Sequence, residues 1–499
     1  MNRSKKLVYN TAFGIINQLI GIICGFILPR AILGAYGSEI NGLVSSVTQF
    51  ISFISFADMG IISVVQASLY EPLYKNNYGD VSRIIISANK FFHKVAAVLI
   101  LYVLVLTAVY PFAIDQKFDR KFTAALIVII SITSFLQYYF CLSYRILLSA
   151  DQKDFIYLFL MSLTTLSNTV FSVVLIKFGS GIISVKLISA LVFLIVPITL
   201  NLYVKKNYRL DLKLKLTEEP IKQKWNGLAQ HIAFIVLQNT DVAVLTLFAS
   251  LTDVSIYQVY HLVVSGIRSL ISSVTTGISP LMGNLIAAEE KNKLNNFFDL
   301  YEWGFHSFAT LIYMCTAVLI VPFVRVYTSK INDADYIVPI FGVILTAAYY
   351  VCSLRTPYQS LIQSAGHFKQ TQTSSLIEAG INIILSLLSV IKFGLVGVAV
   401  GTLAAMLYRT IYLVFYLRKN ILNRPTSAFL KNILTDLLIV LISSSITRCF
   451  NFIEISWISW LVMSIKVFLT VFLVTAIVNL IINRKMIKYL FVLLRRKLN

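Results

Sequence analysis

Apolar runs of about 20 residues recur along the whole length of this 499-residue chain. A helix made from one such run can cross a hydrocarbon layer of roughly 30 Å. Only 13% of the residues are charged, which is about half the share found in soluble domains. The sequence therefore predicts an all-α polytopic membrane protein and excludes the soluble fold classes.

The charged residues predict the topology. In a soluble protein the net charge of +21 would indicate a nucleic-acid ligand, but in a membrane protein lysine and arginine gather in cytoplasmic loops. An arrangement of about 14 spans, with both termini cytoplasmic, places most of the 43 basic residues inside. The first apolar run continues to about Gly34 and predicts an uncleaved span rather than a signal peptide. We expect no nucleic-acid partner.

Short segments repeat along the chain at a nearly constant displacement. The sequence IKFG at 176–179 recurs at 391–394, 215 residues later, and Ser149-Ala150 recurs as Ser364-Ala365. Six helices return a chain to the side on which it began, so repeats of six helices are parallel. The sequence predicts two six-helix repeats, with two further helices after them.

A polar interval at 205–224 separates the two repeats. Its seven basic residues are Lys205, Lys206, Arg209, Lys213, Lys215, Lys222 and Lys224. The domain organisation predicted from this pattern is a first lobe at 1–204, a cytoplasmic basic linker at 205–224, a second lobe at 225–420, and two extra helices with a basic tail at 421–499.

A family resemblance enters at the first two spans. Residues 30–42 read RAILGAYGSEING, Gln49-Phe50 follows, residues 57–61 read ADMGI, and span seven contains Asn239-Thr240-Asp241. These segments resemble the openings of the two lobes of bacterial polysaccharide-unit flippases. Those flippases form the Wzx-type branch of the multidrug/oligosaccharidyl-lipid/polysaccharide exporter superfamily.

The resemblance implies a fold, a cargo and partners. The fold would be a MATE-like transporter, in which two lobes form a V around a central cavity and open alternately to the two sides. The cargo would be a polyprenyl-diphosphate-linked oligosaccharide, handled in the bacterial cell membrane for capsule, exopolysaccharide or O-antigen-type synthesis. Polysaccharide polymerase and chain-length machinery are the partners that would act with it.

Arginines within spans are candidates for binding the diphosphate of such a cargo. An arginine at the centre of a lipid-facing helix costs about 2.5–3.5 kcal/mol, so it usually faces protein or water, and its guanidinium can bind phosphate oxygens in a bidentate manner. The candidates are Arg268, Arg355, Arg409 and Arg30. A structural ion pair is the alternative for each, and Arg30 lies near enough to a helix end to snorkel. Arg268 has no counterpart in the first repeat, where Ile54 occupies the related position.

Three acidic residues within spans are candidates for ion pairing or for ion coupling. They are Asp58, Asp241 and Glu378. A structural pair with an arginine is the commoner role for such a residue.

Other chemistries have no support in the sequence. The five cysteines and five histidines lack metal-ligand spacing, and there is no GxxxxGK[ST] phosphate-binding loop. No local nucleophile–base arrangement indicates an enzyme. We therefore expect no metal, no cofactor and no catalytic residue.

The leading hypothesis is a flippase for undecaprenyl-diphosphate-linked repeat units. The alternatives are a flippase for the peptidoglycan precursor lipid II, a cation-coupled multidrug exporter, and a non-transporting partner of a polysaccharide assembly complex. The arginines within spans and the two extra helices argue against a drug exporter. No residue in the sequence separates the remaining three.

Overall fold

The structure, a computed structural model, describes residues 3–58, 61–114, 118–214, 228–275, 278–422, 424–450, 452 and 454–488. All regular secondary structure in these ranges is helical. The chain forms two compact units, Met1–Ser255 and Ile256–Asn499, here called unit 1 and unit 2. The predicted linker lies only partly within the described ranges, and the tail beyond residue 488 lies outside them.

Unit 1 contains nine helices within the described ranges. They are α1 (Arg3–Ser52), α2 (Ile61–Tyr74), α3 (Tyr78–Ala113), α4 (Arg120–Leu136), α5 (Leu142–Ala150), α6 (Asp154–Lys177), α7 (Ile182–Phe193), α8 (Ile195–Asn207) and α9 (Leu228–Phe248). A 3₁₀ turn at Phe53–Asp58 separates α1 from α2, and a π turn at Gln137–Cys141 joins α4 to α5. Helix α1 packs along α6, and α3 packs along α4. The predicted second lobe begins at 225, yet α9 packs against α1 within unit 1.

Unit 2 begins within the first turns of α10. Its helices are α10 (Leu251–Thr275), α11 (Ile278–Ala287), α12 (Lys291–Tyr327), α13 (Pro339–Leu354), α14 (Thr356–Ser364), α15 (Phe368–Leu417), α16 (Ser427–Thr447) and α17 (Trp457–Ile482). Helix α13 packs along α15, and α12 packs against α13, α16 and α17. Large apolar side chains such as Leu434, Leu441 and Ile465 stay exposed on α16 and α17. This exposed surface is apolar enough to face lipid.

The helices are long and apolar enough to cross a membrane repeatedly. Ten candidate spans occur among the described residues. Two of them, Val8–Ser55 and Phe368–Leu422, contain 48 and 55 residues, enough for two crossings each. In both, the backbone leaves helical geometry at one glycine, Gly37 or Gly394. Helix α9 and the pair α10–α11 occupy the remaining predicted spans, so the prediction of an all-α, multi-pass membrane protein is confirmed.

The sequence repeat is also a repeat of backbone geometry. Gly179, which follows α6, has φ 74°, and its counterpart Gly394 within α15 has φ 50°. The turn that precedes α6 and the turn that precedes α15 each contain a residue in the same left-handed region. These residues are Gln152 (φ 57°) and Gly366 (φ 74°). Residues with a side chain rarely adopt this region, so four such positions at matching places indicate that the same helix–turn–helix path occurs twice.

Candidate functional site

Arg355 and Glu378 form a buried ion pair in unit 2. Arg355 occupies the break between α13 and α14, just before Pro357, and Glu378 lies in the first half of α15. The Nη1 of Arg355 donates a hydrogen bond to Oε1 of Glu378. Only 7% of Arg355 and 5% of Glu378 is exposed. Two residues predicted separately from the sequence therefore neutralise each other.

Arg409 adds a second guanidinium to the same carboxylate. It lies in the second half of α15, beyond Gly394, and its Nε is 3.9 Å from Oε2 of Glu378. Its Nη1 donates to the carbonyl oxygen of Thr371 at 2.8 Å and to the hydroxyl of Ser374. Since two arginines share one carboxylate, this cluster carries an excess positive charge in the interior of the unit.

Arg268 has a different environment. It lies on α10, is partly exposed, and has its guanidinium carbon 5.9 Å from the centre of the Tyr349 ring. Tyr349 is buried and also receives the edge of His261, with the ring centres 5.7 Å apart. Within the part of the chain that the structure describes, Arg268 forms no ion pair with a carboxylate. Among the described residues, the face of the Tyr349 ring is the group that lies against its positive charge.

The residues that carried the family resemblance meet in unit 1. Asn41 donates to the hydroxyl of Ser255 at 2.7 Å, and Gln49 donates to the amide oxygen of Asn239 on α9. At Gly42, an added Cβ would come within 1.8 Å of the carbonyl oxygen of Leu251. These residues hold α1 against α9 and the start of α10. Within the described contacts, their role is the close approach of helices.

The remaining predicted residues occupy varied environments. Asp241 on α9 is buried, with 4% of its surface exposed, and Arg30 on α1 is partly buried. Asp58 ends the 3₁₀ turn after α1, and its side chain lies outside the described residues. The structure brings Arg355, Arg409 and Glu378 together and leaves Arg268 apart from that cluster.

Lys186 is a cation within a span that the sequence reasoning did not name. It lies within α7, five residues after Gly181. It forms no ion pair among the residues the structure describes. The signal was present, because Lys186 interrupts an apolar stretch that continues into α8. Its position near a helix end permits snorkelling.

A cluster of charged side chains lies at the turn between α5 and α6. Asp151 accepts hydrogen bonds from Lys6 at 2.8 Å, Lys153 at 2.7 Å and Tyr208 at 2.6 Å. Burial opposes ionisation of Asp151, but these three hydrogen bonds outweigh it and lower the pKa of the carboxyl below its ordinary value. Beside the cluster is an open groove of about 480 Å³, lined in part by Tyr70. The cluster ties the start of α1 to this turn.

Comparison with known proteins places the fold. The sequence matches no protein-family model and no curated protein. The structure is similar to the lipid II flippase MurJ in its inward closed conformation, with a TM-score of 0.72 and 16% sequence identity over 95% of this chain and 99% of that one.

Multidrug transporters are similar as well. An inward-facing MATE transporter of the MOP superfamily gives a TM-score of 0.61 at 12% identity, covering 81% of this chain and 94% of that chain. The Vibrio cholerae MATE transporter VcmN, in its bent form, gives 0.51 at 14% identity, covering 87% and 99%. The chain therefore has the fold shared by MurJ and the MATE transporters, and the MATE-like fold predicted from the sequence is confirmed.

Proposed function

We propose that this protein is a flippase that moves undecaprenyl-diphosphate-linked oligosaccharide repeat units across the bacterial cell membrane by alternating access. The product would feed capsule, exopolysaccharide or O-antigen-type synthesis. In this proposal both termini are cytoplasmic, and residues 1–204 and 225–420 are the two lobes. Polysaccharide polymerase and chain-length machinery would receive the cargo.

The observation that carries the proposal is Arg268. An arginine inside a membrane helix is normally neutralised by a carboxylate, as Arg355 is by Glu378. Arg268 has no such partner among the described residues, and it is only partly buried. An arginine that is partly exposed and has no carboxylate partner among the described residues is suited to binding an anionic ligand transiently.

A diphosphate fits that requirement. Guanidinium donors can bind two phosphate oxygens at once, and such charge-assisted hydrogen bonds contribute about 1.5–3 kcal/mol each. We assign Arg268 as the primary diphosphate contact. Arg355 and Arg409 would supply long-range positive potential through the excess charge of their cluster, and Arg30 is a further candidate. Asp241 and Asp58 are assigned to ion pairing or ion coupling.

The membrane potential would drive transport of such a cargo. An inside-negative potential favours outward movement of an anion by about 2.3 kcal/mol per charge per 100 mV. Collapsing the potential is therefore expected to slow export.

Lipid II is the second candidate cargo. It is favoured by the likeness to the lipid II flippase MurJ, which extends over 95% of this chain. Lipid II is also a polyprenyl diphosphate, so Arg268 would have the same role.

Translocation in inverted membrane vesicles distinguishes the candidates. Vesicles containing the protein are supplied with a defined lipid-linked oligosaccharide, with lipid II, or with a cationic drug, and entry into the lumen is measured. We expect the oligosaccharide to enter fastest. If lipid II alone enters the lumen, the cargo is lipid II and not the oligosaccharide. Uptake of the drug would support a multidrug exporter. No movement of any substrate would support a non-transporting partner.

Substitution of Arg268 tests the site itself. Arg268→Ala should lower translocation about tenfold or more while membrane abundance stays normal, since loss of one charged hydrogen bond of about 1.5–3 kcal/mol has that effect. Arg268→Lys should restore part of the activity, because lysine keeps the charge but lacks the planar fork. Arg83→Ala is the matched control, because Arg83 is exposed and pairs with the exposed Asp80 at 3.0 Å. Full translocation by an abundant Arg268→Ala protein would remove Arg268 from the site.

Labelling of single cysteines tests the proposed topology. Lys213 and Lys330 are both exposed in the structure. In a cysteine-free background, a cysteine at 213 should react from the cytoplasmic side and a cysteine at 330 from the outside. Reaction of both from one side would refute the fourteen-span assignment.

A further inference from the structure

A histidine and a carboxylate form a buried pair within unit 2, away from the residues assigned above. His306 lies on α12 and Asp436 on α16, and their exposed fractions are 1% and 4%. The Nδ1 of His306 is 2.6 Å from Oδ2 of Asp436. The same oxygen accepts a hydrogen bond from the hydroxyl of Tyr350 on α13 at 2.9 Å. The pair therefore connects one of the two C-terminal helices to the body of the unit.

The other nitrogen of this imidazole is unsatisfied. The Nε2 of His306 is buried and has no hydrogen-bond partner among the described residues. A buried polar atom without a partner is unfavourable. The ring of Phe429 lies edge-on to this imidazole, with the ring centres 5.9 Å apart. The Nε2 is thus the nitrogen of this imidazole at which a proton can be added without breaking a described hydrogen bond.

A small cavity lies next to the pair. It has a volume of about 10 Å³, and its lining includes Phe429, Glu302 and Arg424. The exposed Arg418 lines the same cavity, so the cavity reaches the protein surface. Phe429 lines this cavity and also contacts the imidazole of His306, so a single ring is shared by the cavity and the pair.

Two acidic side chains lie on the same helix as His306. Asp299, Glu302 and His306 are spaced by three and four residues, which places them on one face of α12. Arg424 pairs with Asp299 at 3.0 Å and with Glu302 at 2.6 Å. With His306 neutral, three carboxylates including Asp436 face one guanidinium. Adding a proton to His306 halves this excess of negative charge.

The other helices packed on α12 bring few charges to the site. Helix α11 contains no titratable residue between Ile278 and Ala287. The groups on the remaining elements are Tyr349, Tyr350 and Cys352 on α13, Tyr358 on α14, Lys431 on α16 and Lys466 on α17. Tyr358 donates to Glu302, and Lys431 and Lys466 are exposed. None of these groups supplies a buried cation that would replace the proton.

We propose that His306 and Asp436 form a proton-binding site whose occupancy fastens α16 and α17 to α12. With a proton on Nε2, the pair is an imidazolium and a carboxylate with no net charge. Without it, the pair carries a net negative charge at a buried position, where an uncompensated charge is strongly unfavourable. Helix α17 meets α12 through a neutral contact, in which Trp303 donates to Asn479 at 2.7 Å, so the pH dependence of docking comes from His306 and Asp436.

Nuclear magnetic resonance of the imidazole nitrogens tests this site without any cargo. The full chain, with ¹⁵N-labelled histidine, is placed in lipid nanodiscs and titrated from about pH 5 to pH 9, the range in which histidine changes charge. One of the five histidines should convert from imidazolium to imidazole, and two substitutions should move its midpoint in opposite directions. Asp436→Asn removes the neighbouring negative charge and should lower the midpoint by about 1–3 pH units. Tyr350→Phe removes a donor to the carboxylate and should raise it.

A matched histidine provides the control. His367 lies in the turn before α15 and contacts the hydroxyl of Tyr416 at 2.9 Å. His367→Asn should remove a different resonance and leave the responding one unchanged. A histidine spectrum in which no resonance responds to both Asp436→Asn and Tyr350→Phe would overturn the proposal.

Heat unfolding tests the docking consequence. If the folded protein takes up a proton at His306, its unfolding temperature falls as the pH rises through the titration range. His306→Asn keeps a donor close to the position of Nδ1 but does not titrate, so its unfolding temperature should depend less on pH. Equal pH dependence in both proteins would exclude a role for the proton in docking. Because neither measurement uses a lipid-linked sugar, failure here leaves the flippase proposal standing, and failure of that proposal leaves this one standing.

Discussion

The two units use different chemistry where their helices meet. The described buried contacts around α1 in unit 1 join amides and hydroxyls, as in Asn41–Ser255 and Ser46–Thr246, each at 2.7 Å. In unit 2 neutral contacts such as Trp303–Asn479 stand beside buried charged ones, Arg355–Glu378 and His306–Asp436. A neutral hydrogen bond contributes about 0.5–1.5 kcal/mol, whereas removing one member of a buried ion pair costs about 3–5 kcal/mol. Substitutions at the charged contacts of unit 2 are therefore expected to cost more than substitutions at the neutral contacts of unit 1.

The sharpest test of that difference is Glu378. Glu378→Gln leaves both Arg355 and Arg409 without a carboxylate, and should destabilise unit 2 by about 3–5 kcal/mol. Arg409→Met leaves the Arg355–Glu378 pair intact and should cost less. The yield of folded protein, measured by size-exclusion chromatography of detergent extracts, should fall in the order wild type, Arg409→Met, Glu378→Gln. The reverse order would show that Glu378 does not hold the cluster together.

The fold was predictable because two properties of the sequence depend directly on it. These are the hydropathy of successive segments and the nearly constant displacement between repeated segments. Apolar runs and basic loops indicated the spans, and the recurrence of IKFG indicated the repeat; in both copies the glycine of this motif, Gly179 or Gly394, has a positive φ. The lobe boundary at 225 stays a prediction, because α9 packs with unit 1 through contacts that no linear pattern encodes.

The candidate site was predictable only in part. Sequence gives the depth of a charge along a span but not the direction in which the side chain points. Arg355, Glu378 and Arg409 could each be named, yet their grouping depends on how α13 and the two halves of α15 pack. The pairing of His306 with Asp436 spans 130 residues, and neither residue lies in a recognisable motif.

A glycine substitution tests the neutral interface of unit 1. Gly42→Ala would place a Cβ within 1.8 Å of the carbonyl oxygen of Leu251, so α1 must move away, at a cost of about 1–3 kcal/mol. Gly34→Ala is the matched control on the same helix, because an added Cβ there meets no atom within 4 Å. The control should be neutral or stabilising by up to about 1 kcal/mol. Heat unfolding in detergent measures both, and equal unfolding temperatures would show that the close approach is dispensable.

The smallest effect is expected at the charged cluster of unit 1, which is more exposed than the clusters of unit 2. The side chain of Asp151 is 23% exposed, against 6% for Asp436, so screening by solvent limits its contribution to about 1 kcal/mol or less. Lys153, Lys6 and Tyr208 overcome the effect of burial and lower the pKa of Asp151 in the folded protein. The stabilisation is therefore present above the ordinary pKa of an aspartate, about 4, and is lost as the pH falls through the lower, folded value. Asp151→Asn should have a lower unfolding temperature than wild type at pH 6, and the difference should shrink towards pH 3. A difference that stays constant over this range would mean that Asp151 acts through hydrogen bonds that asparagine lacks at every pH, and not through its charge.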